Sequence, residues 1–238
     1  INIFCIKFIN KVIFIWKIDM HNSVQKYKDI ISSIDKKLEE QKINSIPKVI
    51  AVSKTFKLEK ILPLIEYGHL DYGENKVQEA IDKWSEIKLK KQNIKLHLIG
   101  KLQTNKVKHA IKIFDYIHSV DSMKLAKKIA DEQYKQNKNL KLFIQVNIGD
   151  EEQKSGIKVE QIKDLIIFSK QLKLNIIGLM CIPPVNEEPD KYFKEIKILN
   201  EKFDLQEISM GMSSDYLKAV ENSSTYVRIG SSIFGQRT

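Results

Sequence analysis

The sequence is poor in cysteine, arginine, glycine and long apolar runs, and each shortage excludes a class of protein. Its 238 residues include only two cysteines, Cys5 and Cys181, which match no metal-binding or redox spacing. Nine glycines and five prolines are too few for a collagen-like or low-complexity chain. No apolar stretch approaches the roughly 18 residues that a membrane span requires. We therefore expect a soluble, cytoplasmic globular protein without a metal site.

Arginine is the rare basic residue in a lysine-rich chain. Of the 40 basic residues only Arg228 and Arg237 are arginine, and the formal net charge is +10. The lysines occur in every segment and alternate with acidic residues, a pattern typical of a solvated surface. A nucleic-acid-binding surface is the weaker alternative because the lysines form no single stripe. Where this sequence uses arginine, the position is expected to need the planar guanidinium group.

The first 19 residues differ from the remainder of the sequence. They are apolar, are interrupted by lysines, and lack the small-residue cleavage site of a secretory signal. The first residue is Ile1, whereas Met20 could serve as a translation start. We predict an extension outside the fold over residues 1–19 and one domain over residues 20–238. A targeting leader over residues 1–19 is the alternative, which would place the protein in an organelle.

From residue 20 onward, apolar strand-like segments alternate with helical patterns. Helices are predicted where apolar residues recur at spacings of three and four, and strands where short runs are apolar at nearly every position. The predicted helices are 22–41, 58–68, 75–88, 104–114, 123–138, 159–172, 189–203 and 214–222. The predicted strands are 48–54, 70–73, 95–100, 116–120, 140–148, 175–182, 207–212 and 225–230.

Eight strand–helix repeats predict an α/β fold with a parallel sheet covered on both faces. Eight units in about 219 residues fit a single (β/α)8 TIM barrel, a fold whose size begins near 200 residues. The helix over residues 22–41 is then an extra N-terminal helix. A doubly wound open sheet is the alternative, but the first strand is followed by no G-x-G-x-x-G motif.

Polar residues follow several of the predicted strands, where a TIM barrel places its ligand site. Lys54 ends the apolar run 49–52. Partial burial at a barrel mouth favours the neutral, nucleophilic amine, which is the group that forms a Schiff base with an aldehyde. In so lysine-rich a sequence, a chance position is the competing interpretation.

The last two predicted strands end in hydroxyl-rich turns. Ser213 and Ser214 follow the seventh strand, and Ser231 follows Gly230 after the eighth. Backbone N–H groups and hydroxyls in these two loops commonly bind phosphate in this fold, although the serines could instead cap helices. Arg228 lies on the eighth strand. A lysine for an aldehyde, a phosphate cradle and an arginine together favour pyridoxal 5′-phosphate (PLP) over a sugar phosphate.

Several motifs, in content and order, resemble those of the pyridoxal phosphate homeostasis proteins, the YggS/PROSC-type family. The resemblance extends from about residue 24 to the C-terminus and implies the barrel of the alanine racemase N-terminal domain. The motifs are AVSKT (51–55), YGENKVQEA (72–80), HLIGKLQTNKVK (97–108), HSVDS (118–122), VNIGDEEQKSGI (146–157), GLMCIPP (178–184), ISMGMSSDYLKAV (208–220) and VRIGSSIFGQR (227–237).

The resemblance implies roles for individual residues. It makes Lys54 the lysine that holds PLP as an internal aldimine, and Arg228 the arginine facing the pyridine nitrogen. It places the phosphate at Ser213 and at the backbone of Gly230 and Ser231. Asn75 and His97 match polar positions near the ring, and Lys154 matches a further basic position. Asn75 could equally cap the following helix, and His97 could be a hydrogen-bonded core histidine.

The sequence favours a cofactor carrier over an enzyme. Related racemases add a β-domain that supplies a second base, and this sequence ends at Thr238 soon after the eighth strand. An arginine beside the pyridine nitrogen also weakens the ring as an electron sink. We expect a monomer that acts in intracellular vitamin B6 homeostasis and supplies PLP-dependent apo-enzymes. A minimal PLP-dependent amino-acid racemase is the alternative.

Overall fold

The computed structural model describes residues 21–236, which form a closed barrel of eight parallel strands in the order β1 to β8. Strand β1 closes the barrel by pairing with β8, so that Ile50 lies opposite Arg228. The strands are β1 Lys48–Val52, β2 Asp71–Glu74, β3 Lys95–Leu98, β4 Tyr116–Val120, β5 Lys141–Val146, β6 Asn175–Cys181, β7 Glu207–Met212 and β8 Tyr226–Ile229.

Helices surround this barrel and connect its strands. They are α1 Asn22–Gln41, α2 Leu58–Tyr67, α3 Val77–Lys90, α4 Val107–Ile113, α5 Met123–Gln136, α6 Ile162–Gln171, α7 Asp190–Lys202, α8 Tyr216–Glu221 and α9 Ser231–Phe234. Helix α1 precedes the first strand and packs against α8 and α9. Helix α2 ends at Gly68, whose positive φ of 106° is the left-handed conformation that suits glycine at a helix end.

The predicted (β/α)8 barrel with an extra N-terminal helix is confirmed. One short helix, α9 after β8, was not among the predicted helices. The other differences are at element ends: the helices predicted at residues 104 and 159 begin with single 3₁₀ turns, Thr104–Lys106 and Val159–Gln161. Such tighter turns are frequent at helix N-termini, and the apolar spacing does not distinguish them from α-helix. The predicted extension over 1–19 lies outside the described residues.

Apolar side chains fill two regions. The larger one lies between the barrel wall and the helices, where Tyr72, Trp84 and Phe193 are fully buried. The smaller one lies inside the barrel and consists of Ile50, Tyr116, Phe143, Met180 and Tyr226. Successive strand residues point to opposite faces, so each strand contributes to both regions. Within residues 21–236, no helix is both long and apolar enough to cross a membrane.

Candidate functional site

A cavity of about 300 Å³ opens where the strands end at the C-terminal face of the barrel. Residues from the ends of β1, β2, β3, β6, β7 and β8 line it. Six of the seven residues predicted for the site are among the lining residues: Lys54, Asn75, Ser213, Arg228, Gly230 and Ser231. The structure thus brings together groups that are up to 177 positions apart in the sequence, from Lys54 to Ser231.

Lys54 follows β1 and is held in place by its buried neighbour. The Ser53 hydroxyl donates to Glu74 Oε1 over 2.7 Å, which ties the end of β1 to the end of β2. Lys83 Nζ and Trp84 Nε1, both on α3, donate to the same carboxylate oxygen over 2.9 Å. Burial raises the pKa of Glu74 although Lys83 lies beside it. The backbone that carries Lys54 is therefore anchored to a strand and a helix.

Asn75 follows Glu74 and lines the cavity. It is not the cap of α3, because that position is taken by Lys76, which makes no side-chain cap hydrogen bond. The end of β3 passes close to it: a Cβ atom at Gly100 would lie 2.4 Å from the Asn75 carbonyl oxygen. A glycine is therefore required at position 100 for this approach.

Arg228 is buried on β8, with its side chain inside the barrel. Its Nη1 donates to Ser209 Oγ over 2.7 Å, and its Nη2 donates to the Cys181 carbonyl over 2.8 Å. Burial lowers the pKa of Arg228, but a guanidinium remains protonated in proteins. Neighbouring strands β6 and β7 thus hold a positive charge at the floor of the cavity, with further N–H donors left for a ligand.

The loops after β7 and β8 meet through one hydroxyl. Ser213 Oγ accepts from the N–H groups of Gly230 and Ser232 over 3.3 and 3.4 Å. Because a serine hydroxyl has one donor and two acceptor positions, its hydrogen is left to bond a ligand. The turn that delivers Ser213 passes through Gly211, whose φ is +90°. Hydroxyls and backbone N–H groups at this edge suit an anion.

His97 is the predicted site residue that the structure does not bring to the cavity. Its ring is fully buried, lies 3.0 Å from both Asp71 Oδ1 and His118 Nε2, and stacks on Tyr116. Ile99, two positions further along, lines the cavity instead. Since both residues face inward, His97 occupies a deeper layer of the barrel. His97 therefore has the hydrogen-bonded core position of its alternative interpretation, outside the cavity lining, and a place near a bound ring stays a prediction.

Lys154 also lies outside the cavity lining. Its Nζ forms an ion pair with Glu151 and donates to the Pro183 carbonyl over 3.1 Å. These contacts join the loop after β5 to the loop after β6.

Several apolar and polar residues of the site were not predicted from the sequence. Ser209 and the Cys181 carbonyl, which hold Arg228, were not selected; an isolated serine within the apolar strand β7 was the available signal. Burial raises the pKa of the Cys181 thiol to about 12, so only its carbonyl takes part. The other lining residues missed are Val52, Ile99, Ile182 and Met212, whereas Ser214 was named with Ser213 in the loop after the seventh strand.

Comparison with known proteins identifies the family. The model of the alanine racemase N-terminal domain matches residues 34–238. A pyridoxal phosphate homeostasis protein of Aquifex aeolicus is 35% identical over 227 residues, which cover 91% of this chain and 99% of that relative. The chain belongs to the pyridoxal phosphate homeostasis protein family. The resemblance seen in the sequence motifs is thereby confirmed.

Further proteins are similar to this chain in sequence or in fold. The Escherichia coli K12 protein is 34% identical over 199 residues, covering 79% of this chain and 85% of the relative. The structure of PipY from Synechococcus elongatus, solved with PLP bound, is 32% identical with a TM-score of 0.75. It covers 85% of this chain and 100% of PipY. Alanine racemase of Clostridium difficile shares the fold, with a TM-score of 0.67 at 15% identity; the match covers 91% of this chain and 57% of the racemase.

Proposed function

We propose that this chain binds PLP in the cavity as a covalent aldimine with Lys54, and that it buffers and supplies the cofactor without strong catalysis. The observation that carries this proposal is the convergence of Lys54, Arg228 and Ser213 on one cavity. Each of the three has a chemical counterpart in PLP: an aldehyde, a pyridine nitrogen and a phosphate. The PLP-bound structure of PipY supports the same ligand class.

The described residues fit the ligand in size and in donor chemistry. A cavity of about 300 Å³ is at the lower end of the range typical for small-molecule sites. An amine condenses with the aldehyde and releases water, which requires the neutral form of Lys54. The hydroxyls of Ser213 and Ser231 and the Gly230 backbone provide the polar surface for phosphate. Asn75 completes the wall beside the ring.

Arg228 is proposed to donate to the pyridine nitrogen. A guanidinium has donors and no acceptors, so it can bond this nitrogen only in its unprotonated state. An unprotonated ring withdraws electrons less strongly, which disfavours turnover of amino acids. Arg228 therefore favours retention of the cofactor over reaction on it.

The chemistry of the lining side chains also favours a cofactor carrier over a racemase. Those described comprise one amine, one guanidinium, one amide, three hydroxyls and apolar groups. Only the amine, Lys54, belongs to the usual general bases, whereas racemisation needs bases on both faces of the ring. This is why we favour a homeostasis role over a minimal racemase. We further propose that PLP-dependent apo-enzymes receive the cofactor and that the protein acts as a cytoplasmic monomer.

The test is a PLP titration followed by absorbance, together with an assay for conversion of L-alanine to D-alanine. We expect the full chain to bind PLP and Lys54→Ala to lose the aldimine absorption. Lys101→Ala, which changes an exposed lysine after strand β3, should titrate as the wild type. Turnover in the usual enzymatic range of about 1 s⁻¹ or more would favour the racemase instead. Absence of PLP binding by the wild type would contradict the proposal.

A further inference from the structure

A row of hydrogen bonds crosses the interior of the barrel behind the cavity. Starting from Arg228, it passes through Ser209 and His118 to His97 and ends at Asp71; these five residues are called the interior network. The distances are 2.7 Å from Arg228 Nη1 to Ser209 Oγ and 2.9 Å from Ser209 Oγ to His118 Nδ1. They are 3.0 Å from His118 Nε2 to His97 Nδ1 and 3.0 Å from His97 Nε2 to Asp71 Oδ1.

The acceptor-only carboxylate of Asp71 and two neutral rings fix the direction of every bond. Arg228 can only donate, so Ser209 Oγ accepts from it, and a neutral His118 with its hydrogen on Nε2 accepts the Ser209 hydrogen at Nδ1. His118 then carries its hydrogen on Nε2 and donates to His97 Nδ1. His97 in turn carries its hydrogen on Nε2 and donates to Asp71, whose ionised carboxylate can only accept. With both rings neutral, all four bonds are satisfied by one arrangement of hydrogens.

We propose that Ser209 and His118 are positioning residues for Arg228, and that the interior network orients its guanidinium towards the ligand through this single direction of donation. The proposal rests on the proposed function, in which Arg228 meets the pyridine nitrogen. Asp71 opens β2 at the end of the barrel opposite the cavity, so the network extends the site through the whole barrel. The interior network also gives a role to buried His97, which does not line the cavity.

The surroundings of the two imidazoles favour their neutral forms. Both rings are fully buried, and this burial lowers the pKa of His97 and of His118. For His118, the neighbouring His97 and the positive Arg228 add to the effect. For His97, the hydrogen bond to Asp71 acts in the opposite direction without reversing the shift. The titratable and charged groups facing the two rings are Lys48, His69, Asp71, Asp115, Tyr116, Tyr226 and Arg228.

Histidine ¹⁵N NMR on the ligand-free full chain tests the direction of the network without any cofactor. We expect His97 and His118 both as single Nε2–H tautomers at neutral pH, assigned by the variants His97→Gln and His118→Gln. Exposed His109 serves as the internal reference for a solvent-accessible ring. Asp71→Asn keeps a carbonyl acceptor and should preserve both tautomers. An Nδ1–H tautomer at either ring, or a protonated ring, would overturn the proposal.

Ser209→Ala tests the link to Arg228 in the presence of PLP. We expect roughly tenfold weaker PLP binding, equivalent to about 1.4 kcal/mol, and a changed pH profile of the bound cofactor's absorbance. Ser209→Thr, which keeps the hydroxyl, should restore the profile. Ser169→Ala is the matched control because Ser169 is a fully buried serine on α6 whose hydroxyl has no hydrogen-bond partner among the described residues.

The two experiments separate the possible failures. If the wild type does not bind PLP, the proposed function is contradicted, but the tautomers of His97 and His118 still test the direction of the interior network. If the wild type binds PLP and Ser209→Ala matches Ser169→Ala in both affinity and pH profile, the positioning role is refuted. If Ser209→Ala does not fold, His118→Gln, measured by the same pH profile, decides the question: a wild-type profile would refute the proposal.

Discussion

Replacing Ser213 with alanine separates phosphate binding from helix capping, the two interpretations of the serine-rich loops. Its hydroxyl accepts from Gly230 N–H at 3.3 Å and from Ser232 N–H at 3.4 Å. Both distances exceed the usual 2.7–3.2 Å of a protein hydrogen bond, so these two bonds are weak. The Ser213 hydroxyl hydrogen is available for a phosphate oxygen.

The magnitudes differ between the ligand-free and the loaded protein. Loss of the two long bonds should destabilise the ligand-free fold by no more than about 1 kcal/mol. Loss of a charge-assisted bond to phosphate should weaken PLP binding by about 1.5–3 kcal/mol, which is roughly 10- to 150-fold. Adding Ser231→Ala should bring the loss to about 100-fold or more. The N–H groups of Gly230 and Ser232 remain, so binding is weakened and not abolished.

The assay measures PLP affinity and the melting temperature of the ligand-free protein in one series of variants. Ser122→Ala is the matched control, since Ser122 caps α5 by accepting from Leu125 N–H over 3.2 Å and does not line the cavity. It should lower stability by about 1 kcal/mol and leave PLP affinity unchanged. If Ser213→Ala behaves in the same way as Ser122→Ala, the phosphate interpretation is refuted.

Three further substitutions test other parts of the structure. Arg228→Lys keeps the charge but loses the planar group, so PLP should still bind with an altered pH dependence of its absorbance; an unchanged titration would show that Arg228 does not face the ring. Glu74→Gln should destabilise the fold by about 1–3 kcal/mol in urea unfolding, because its amide would face the buried side where Glu74 Oε2 has no partner. Burial raises the pKa of Glu74 in the folded protein above its value in the unfolded chain. The contribution of Glu74 to the free energy of unfolding therefore falls as the pH rises from the unfolded-state pKa through the folded-state pKa. Glu74→Gln should remove this pH dependence. At Gly211, where φ is +90°, an added Cβ would lie 2.5 Å from Ala219 Cβ, whereas at Gly68, where φ is +106°, an added Cβ would have no atom within 4 Å. Gly211→Ala should therefore lower the melting temperature more than Gly68→Ala.

The sequence predicted the barrel and most of the cavity for identifiable reasons. Strands covered on both faces are apolar at nearly every position, and the intervening helices keep a separate period, so the alternation was visible without any tertiary contact. Residues at strand ends meet at one face of such a barrel, which made Lys54 and Ser213 predictable from order alone. Arg228 stood out because the sequence uses arginine so sparingly.

The sequence did not show how deep within the barrel a polar residue lies relative to the cavity. His97 and Ile99 lie two positions apart on one inward face, and side chains from other strands decide that the cavity ends between them. The same limit hid Ser209, whose partners Arg228 and His118 come from β8 and β4. Polar residues inside a barrel are paired across strands that are distant in sequence, so spacing along one strand does not reveal them.

Borohydride reduction of the PLP-loaded full chain, followed by peptide mass mapping, tests the central claim most directly. Reduction converts an aldimine to a stable secondary amine on the lysine that formed it. We expect the cofactor mass on the peptide that contains Lys54, no label on Lys54→Ala, and wild-type labelling of Lys101→Ala. Label on another lysine, or a wild type that retains none after reduction, would contradict the assignment of this cavity as the PLP site.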